Sequence, residues 1–427
     1  MHPQVLLEAS AALLAQVLKF EHPADSVVSK FFRDNKNMGP RERATLAETT
    51  YNVLRKKLLF EAFANGAPKG SGSRERKLAI LGFAAPRDFV KIVLSEQEKA
   101  WLDACDQTDP AAPNSGLLDL HRHNLPEWLA TTLKAQLGAE FWPLATSLNQ
   151  AATMDVRVNT FKKKPQDVNA IWSKHAIKNK ACTYSPWGLR LEGKPLINKT
   201  EAFINGEVEV QDEGSQLLAL ILDAKRGEMV VDFCAGAGGK TLAIGAAMRG
   251  TGRLYAFDTS AHRLESMKSR LARSGLQNVH QAAIAHERDE RVKRLSGKID
   301  RVIVDAPCSG LGTLRRNPDM KWRQSPQTVL ELMVKQKAIL ESAARLLKPG
   351  GRLVYATCSL LPEENEGIAD AFSAAHPEFT QMPVADILTE LKVPQAESLC
   401  AGPNLRLWPH RHGTDGFFAA VWQRNIA

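Results

Sequence analysis

Two cysteines and an aspartate stand where reactive groups would be useful. One stretch reads Val302-Ile-Val-Asp-Ala-Pro-Cys-Ser-Gly-Leu-Gly312 and a second Leu353-Val-Tyr-Ala-Thr-Cys-Ser359. Both open as short β-rich runs and end in a cysteine, Cys308 and Cys358, with Asp305 three residues before the first. A lone buried cysteine is ordinarily a small, inert hydrophobe. Two at equivalent strand ends, one close to a carboxylate, are hard to explain by packing. The chemistry such groups suit is methylation of a pyrimidine at C5. That carbon is a poor nucleophile, but a thiolate adding to C6 makes the ring enamine-like, so that C5 can attack an electrophilic methyl group. A carboxyl group hydrogen-bonded near N3 steadies the charge that develops. Release then needs loss of the C5 proton and expulsion of the sulfur, which a second thiol can assist. Spacing alone does not rank the two cysteines.

A methyl donor needs its own cradle, and Val230-Val-Asp-Phe-Cys-Ala-Gly-Ala-Gly-Gly-Lys-Thr241 has the form of one. Its candidate contacts are Cys234, Ala235, Gly236, Ala237, Gly238, Gly239 and Lys240, where glycines let backbone N–H groups approach a ligand at a helix N-terminus. A P-loop would need glycine at position 234, and a dinucleotide fingerprint would need glycine at 241. Cys234 and Thr241 fail those tests and leave the shorter glycine loop of S-adenosylmethionine enzymes. Asp258, about 20 residues after Gly238, suits a ribose whether the cofactor is NAD or S-adenosylmethionine. The alternative is a strand-terminal aspartate capping the helix from Thr259.

These groups need a frame, and the hydrophobic pattern after residue 206 supplies one. Strands are predicted at Met229–Cys234, Leu254–Asp258, Val279–Ala283, Asp300–Asp305 and Arg352–Thr357. Helices are predicted between them to about Arg249, to about Ser274, from Pro326 to Leu347 and after Pro362. This alternation predicts an open, mostly parallel α/β sheet whose ligands bind beyond the carboxyl ends of its strands. Ahead of it, residues 1–117 read as all-helical, with Leu46, Tyr51, Val53 and Leu54 near one face of the Pro40–Arg55 stretch. Residues 118–205 read as a helical connector, opened by Pro126 and stopped by Gly138, and a small α+β module with strands at Val156–Asn159 and Gly188–Leu191. Residues 206–427 form the third predicted domain.

The chain has 427 residues and 44% hydrophobic content, which excludes disorder and fibre and allows several cores. A net charge of +9 favours polyanionic partners without proving one. Six scattered cysteines with no CxxC pair argue against a zinc site or disulfide framework and for a reducing cytoplasm. No targeting or membrane-spanning run is expected, no metal is implied and no obligate protein partner is inferred.

Taken in order, the Asp232–Thr241 loop, Asp305-Ala-Pro-Cys-Ser309, Thr357-Cys-Ser359 and Pro362-Glu-Glu-Asn365 resemble the Sun/Nop2 (RsmB-like, NSUN) family of RNA cytosine-C5 methyltransferases. Arg157-Val-Asn159, Gln211-Asp-Glu-Gly-Ser-Gln216 and His412-Gly-Thr-Asp-Gly-Phe-Phe418 extend the resemblance from about residue 150 to the C-terminus. It implies a Rossmann-like class I methyltransferase domain using S-adenosylmethionine. It further implies Cys358 as the nucleophile, Cys308 in product release, Asp305 between methyl donor and base, and Lys240 beside the loop. Cys234 to Lys240 and Asp258 match the family's cofactor-binding motifs. The stretch Arg41–Arg55 resembles the NusB-type RNA-binding domain that rRNA enzymes of this kind carry, which favours small-subunit rRNA as substrate. Transfer to tRNA, or a non-catalytic RNA-binding assembly factor, is the alternative.

Two departures stand out. The family loop commonly reads Cys-Ala-Ala-Pro-Gly-Gly-Lys, whereas Gly236 and Ala237 replace the Ala-Pro pair and restore backbone freedom. The family usually has an acidic residue after the third strand, whereas this chain runs Ala282-Ala-Ile-Ala-His286 before Asp289, which leaves that contact unassigned and His286 as a candidate to hydrogen-bond in its place. For RNA contact, the basic run Lys162, Lys163 and Lys164 is one candidate. Arg315, Arg316, Lys321 and Arg323 around Trp322 are the other, with arginines for phosphate and a ring to stack on an unpaired base. The competing reading is a basic surface loop with Trp322 in the core.

Overall fold

Helices form early in the chain because their ends are well specified. Pro40 occupies the first turn of Pro40–Arg55, where its missing N–H costs nothing. Ser95 and Glu98 make a reciprocal capping box on Glu96–Gln107, with Glu98 N donating to Ser95 Oγ at 3.2 Å and Ser95 N to Glu98 Oε2 at 3.0 Å. Leu7, Leu13 and Leu14 of Pro3–Val17, Leu46, Val53 and Leu54 of Pro40–Arg55, and Leu78 and Ile80 of Arg74–Gly82 are fully buried in one core. Tyr51 is only half-buried at its edge.

The computed structural model describes residues 2–426. It resolves into two units: residues through Ala151 with Thr313–Ser325, and Ala152–Gly312 with the residues from Pro326 on. This differs from boundaries at 117 and 205. The helices after Leu118 go with the helical unit, and the α+β module goes with the large parallel sheet.

The segment Thr313–Ser325 changes one expectation. Lys321 Nζ donates to Arg55 O at 2.8 Å and Asn149 Oδ1 at 3.3 Å, and Trp322 Nε1 donates to Leu54 O at 3.0 Å. Leu54 and Arg55 close the Pro40–Arg55 helix, so these donors satisfy carbonyls that a helix end leaves without partners. Asp319 Oδ2 accepts from Ala24 N at 3.1 Å. Lys321 and Arg315 are buried, and burial, with Arg55 and Lys57 nearby, pushes the Lys321 amine well below the usual lysine range. Lys321 and Arg315 are therefore internal groups of the helical unit, and Trp322 is half-buried with its indole N–H bonded to that helix end, so this segment is not the free RNA-contacting surface its composition suggests. Arg323 pairs with Asp319 at 3.5 Å, and Arg316 is half-buried.

In the second unit, β1 (Met154–Val158), β2 (Asn179–Ala181), β3 (Gly188–Leu191) and β4 (Val208–Val210) form an antiparallel sheet in the order β2-β3-β1-β4. The helix Pro165–Lys174 buries Val168 and Trp172 in the core of this module with Val156, Val158 and Leu189. Strands β2 and β4, three residues each, were too short to read from alternation. Lys162 Nζ donates to Asn205 O and Arg273 O, each at 2.7 Å, and Lys163 pairs with Glu207 at 3.7 Å. Of the basic run, Lys164 remains exposed without such an anchor on its side chain.

The main sheet begins with β5 (Met229–Phe233), β6 (Arg253–Asp258), β7 (Val279–Ala283), β8 (Ile299–Asp305) and β9 (Leu347–Thr357), all paired in parallel in the order β7-β6-β5-β8-β9. The chain order reverses between β6 and β8 on either side of β5. A crevice at the carboxyl ends of β5 and β8 is where such a sheet binds ligands. Beyond β9 lie β10 (Phe379–Met382), β11 (Cys400–Ala401), β12 (Asn404–Leu407) and β13 (Phe417–Arg424), an antiparallel extension that the sequence reading did not anticipate. Among the described residues no helix is long and apolar enough to cross a membrane.

The backbone crowds most tightly just after β8. Gly312 N donates to Cys358 O and Gly416 N donates to Gly312 O, both at 2.8 Å, while a Cβ at Gly312 would stand 2.0 Å from Gly416 O. Gly312→Ala should therefore cost about 1–3 kcal/mol of stability, the usual penalty for overpacking. Thermal or urea unfolding of this variant beside the parent checks it, and an unchanged midpoint would show that the crossing is slack.

Candidate active site

The turn after β5 is built on left-handed backbone. Cys234 has φ 74°, Gly236 φ 56° and Gly238 φ 86°. A side chain at Gly238 would strike Met267 Cγ at 2.4 Å, so only glycine fits there. Over Gly236 no atom lies within 4 Å of where a Cβ would stand, so the loop is open on that side. Arg270 Nη1 donates to Ala237 O at 2.7 Å and holds the loop from behind.

Asp258, at the end of β6, accepts Gly236 N on Oδ2 at 2.8 Å and Ser260 N on Oδ1 at 2.7 Å. Each carboxylate oxygen keeps a lone pair for a further donor. The helix Ala261–Ser274 is capped by Ser260, whose Oγ accepts from Arg263 N, and not by Asp258. An open glycine loop, a fixed carboxylate at ribose reach and a loop cation turned elsewhere fit S-adenosylmethionine better than a phosphate-bearing cofactor.

That cation is Lys240. Its Nζ lies 2.6 Å from Asp305 Oδ2. Burial works against the Lys240 ammonium, but the Asp305 carboxylate outweighs it and holds the pKa above the usual lysine value, with a smaller contribution from Cys358. Thr241 Oγ1 donates to Asp232 Oδ2 at 2.6 Å. Burial is the main reason that the Asp232 carboxyl is pushed up to about 7. Cys234 is raised well above the usual thiol range by burial first and by Asp305, Asp258 and Asp232 next, so it stays protonated.

Strands β8 and β9 deliver the two thiols together. Cys308 Sγ lies 3.4 Å from Cys358 Sγ, and Cys358 N donates to Cys308 Sγ at 3.3 Å. The hydrogen bond to Cys358, followed by burial, raises the Cys308 thiol well above its ordinary range. Lys240, Asp305, Cys308 and Cys358 thus gather at the carboxyl ends of β5, β8 and β9, with Asp258 across the cofactor loop at β6. His286 does not join them. It is exposed, and its Nδ1 accepts from Arg288 N at 3.1 Å, while Asp289 organises the loop by accepting Ala285 N and Arg291 N.

Other polar clusters are accounted for locally. Asp155, Cys182 and Glu213 lie within metal-ligating distance of one another, but Arg190 donates to Asp155 at 2.7 and 3.0 Å and to Glu213 at 3.1 Å, which makes this an ion-pair centre. Burial lifts the thiols of Cys105 and Cys400 to about 11, so they stay protonated. One group missed by sequence reasoning is Glu364, fully buried between the two cysteine loops. Its stretch stood out only through resemblance.

Comparison with known proteins agrees with this geometry. The model of the family described as 16S rRNA methyltransferase RsmB/F matches residues 219–423, and that of the RsmF/B-like ferredoxin-like domain matches residues 125–198. A Synechocystis sp. protein named "Probable ribosomal RNA small subunit methyltransferase B" is 36% identical over 306 residues, covering 70% of this chain and 66% of that protein, just under two thirds of its length. The Pasteurella multocida ribosomal RNA small subunit methyltransferase B is 32% identical, covering 73% of this chain and 68% of that protein. The solved structure of PH0851 is similar over 99% of both chains, at 26% identity and a TM-score of 0.78.

The raised Asp232 carboxyl has a consequence for stability. With a folded pKa of about 7 against an ordinary 3.8, the unfolded chain loses this proton first as pH rises, so stability is present at low pH and lost on the way to pH 7. Asp232→Asn cannot titrate. Between pH 5 and 7.5 the stability difference should therefore move in favour of Asp232→Asn, by about 1 kcal/mol or more. Denaturant melts at the two pH values read it, and a pH-independent difference would mean that Asp232 ionises normally.

Proposed function

Because the chain belongs to the 16S rRNA methyltransferase RsmB/F family, we propose that it transfers a methyl group to C5 of a cytosine in RNA, with small-subunit rRNA as the substrate class. The single observation that carries the reading is the pair of thiols 3.4 Å apart at the ends of β8 and β9, beside the Lys240–Asp305 pair. The cofactor is S-adenosylmethionine, which when bound supplies the electrophilic methyl group. Gly236, Gly238 and Gly239 form its backbone cradle with Cys234, Ala235, Ala237 and Lys240, and Asp258 receives the ribose hydroxyl protons. Asp305 lies between this cradle and the thiols along the strand ends.

Cys358 is the nucleophile. Its thiolate adds to C6, forming a C–S bond and pushing the ring electrons toward C5, which then attacks the methyl group. Asp305 holds the base through a hydrogen bond near N3 as charge builds in the ring, and its pairing with Lys240 fixes its direction. Release passes the C5 proton to solvent water; the C5–H bonding electrons re-form the C5–C6 double bond, and the C–S bond breaks toward sulfur. Cys308, held as a thiol against Cys358, can hand a proton to the departing sulfur. The helical unit and the exposed Lys164 are the candidates for holding the rest of the RNA.

Methyl transfer from labelled S-adenosylmethionine, offered small-subunit rRNA or tRNA lacking the modification, tests this reading. Transfer should favour rRNA at a cytosine C5. Cys358→Ala should lower the rate at least about 10³-fold, as loss of a covalent nucleophile does. Cys308→Ala should accumulate a denaturation-resistant protein–RNA adduct. Label confined to tRNA would move the substrate. Transfer that survives Cys358→Ala would overturn the nucleophile, and no transfer to any RNA would favour a non-catalytic RNA-binding role.

A further inference from the structure

Glu364 is completely buried, and nothing in the proposed chemistry uses it. Its carboxylate nevertheless receives four donors. Oε1 accepts Ser309 N and Gln336 Nε2, each at 2.9 Å. Oε2 accepts Ser309 Oγ at 2.5 Å and also Ser359 Oγ. The two serine hydroxyls, 3.1 Å apart, thus meet on one carboxylate oxygen. Ser309 directly follows Cys308 and Ser359 directly follows Cys358, so a single side chain holds the residue next to each thiol.

The neighbouring contacts complete the clamp. Gln336, on the helix Pro326–Ala344, also donates to Pro307 O at 3.0 Å, and so holds Cys308 from its other side. Asn365 accepts Thr357 Oγ1 at 2.5 Å and donates through Nδ2 to Ser359 O at 3.0 Å, which brackets Cys358 in the same way. Tyr355 Oη donates to Glu364 O at 2.6 Å and fixes the backbone of Glu364 against β9. The cost of burying a carboxylate this deeply is repaid only when its acceptor sites are filled, and here they are filled by the two reactive loops themselves.

We propose that Glu364 is the positioning residue that sets the separation of Cys308 and Cys358, by tying Ser309 and Ser359 to one carboxylate. The inference deepens the proposed function and rests on it for its catalytic consequence. Its geometric consequence can be read without RNA. Two thiols held at 3.4 Å are poised to close a disulfide when oxidised glutathione is supplied, each closure reducing one glutathione disulfide to two glutathiones.

The test uses Glu364→Gln in the full chain, which keeps the volume but turns an amide NH2 toward the serine hydroxyls. Closure of the Cys308–Cys358 disulfide by oxidised glutathione, followed by peptide mass, should slow at least about tenfold, while mixed-disulfide formation at Cys105 and Cys400 stays as in the parent. Single-turnover methyl transfer to rRNA should fall about 100-fold with S-adenosylmethionine affinity within about twofold of the parent. A lowered melting temperature with closure and turnover unchanged would overturn the proposal and leave Glu364 a purely structural residue. If the variant fails to fold, Ser309→Ala and Ser359→Ala each remove one hydroxyl donor; slower closure in both supports the clamp, and unchanged closure in both overturns it. Slower closure in Glu364→Gln from a parent that methylates no RNA would support the clamp while sinking the proposed function.

Discussion

The parallel register between β8 and β9 is the constraint on which the site depends. Asp305 stands opposite Ala356 and Val304 opposite Tyr355, so the two strands run out of sheet at nearly the same level and their loops emerge side by side. A slip of one residue would turn every side chain of a strand to the other face and carry its cysteine away from the partner. The register is secured by the core it organises: Val302, Val304, Leu353 and Tyr355 are fully buried in one cluster. Chemistry at the strand ends is thus inherited from packing in the strand interiors.

Around those ends, charge is arranged at some expense. A buried ion pair such as Lys240–Asp305 recovers its desolvation cost only with good geometry, and often contributes little net stability. Asp232 behind it has its carboxyl pushed up to about 7, and Cys234 is kept as a thiol by burial and the same group of carboxylates. The pocket therefore separates its sulfurs by surroundings: one locked in the protonated form in the cofactor loop, and two sharing a hydrogen bond at the ends of β8 and β9. Groups placed this way cost the fold something, which is usual where structure serves reactivity.

Much of this was legible in the residues. Short apolar runs ending in Cys234, Asp258, Asp305 and Thr357 located parallel strands, because a strand buried on both faces reads as a continuous hydrophobic run. The glycine loop was legible because its left-handed turn demands glycine at 238. Three features were not. The Arg315–Arg323 segment carried cations and a tryptophan, a composition that suits either an RNA surface or the end of a helix; only the position of the Leu54 and Arg55 carbonyls decides. The antiparallel strand β11 is only two residues long, below what alternation can detect. Glu364 could not be read as a buried group, since burial of a carboxylate depends on donors more than 20 residues away in sequence, at Ser309 and Gln336.

The capping of Pro40–Arg55 by Lys321 and Trp322 also has a bearing on birth at the ribosome. The helix end emerges early, but its hydrogen-bond donors lie 266 and 268 residues downstream. At ordinary elongation rates that interval lasts roughly 15–50 s, during which the nascent helical unit must wait with its last carbonyls open to water. The unit that leads in sequence is therefore among the last to be finished, and any companion that engages the nascent chain meets it first in an incomplete form.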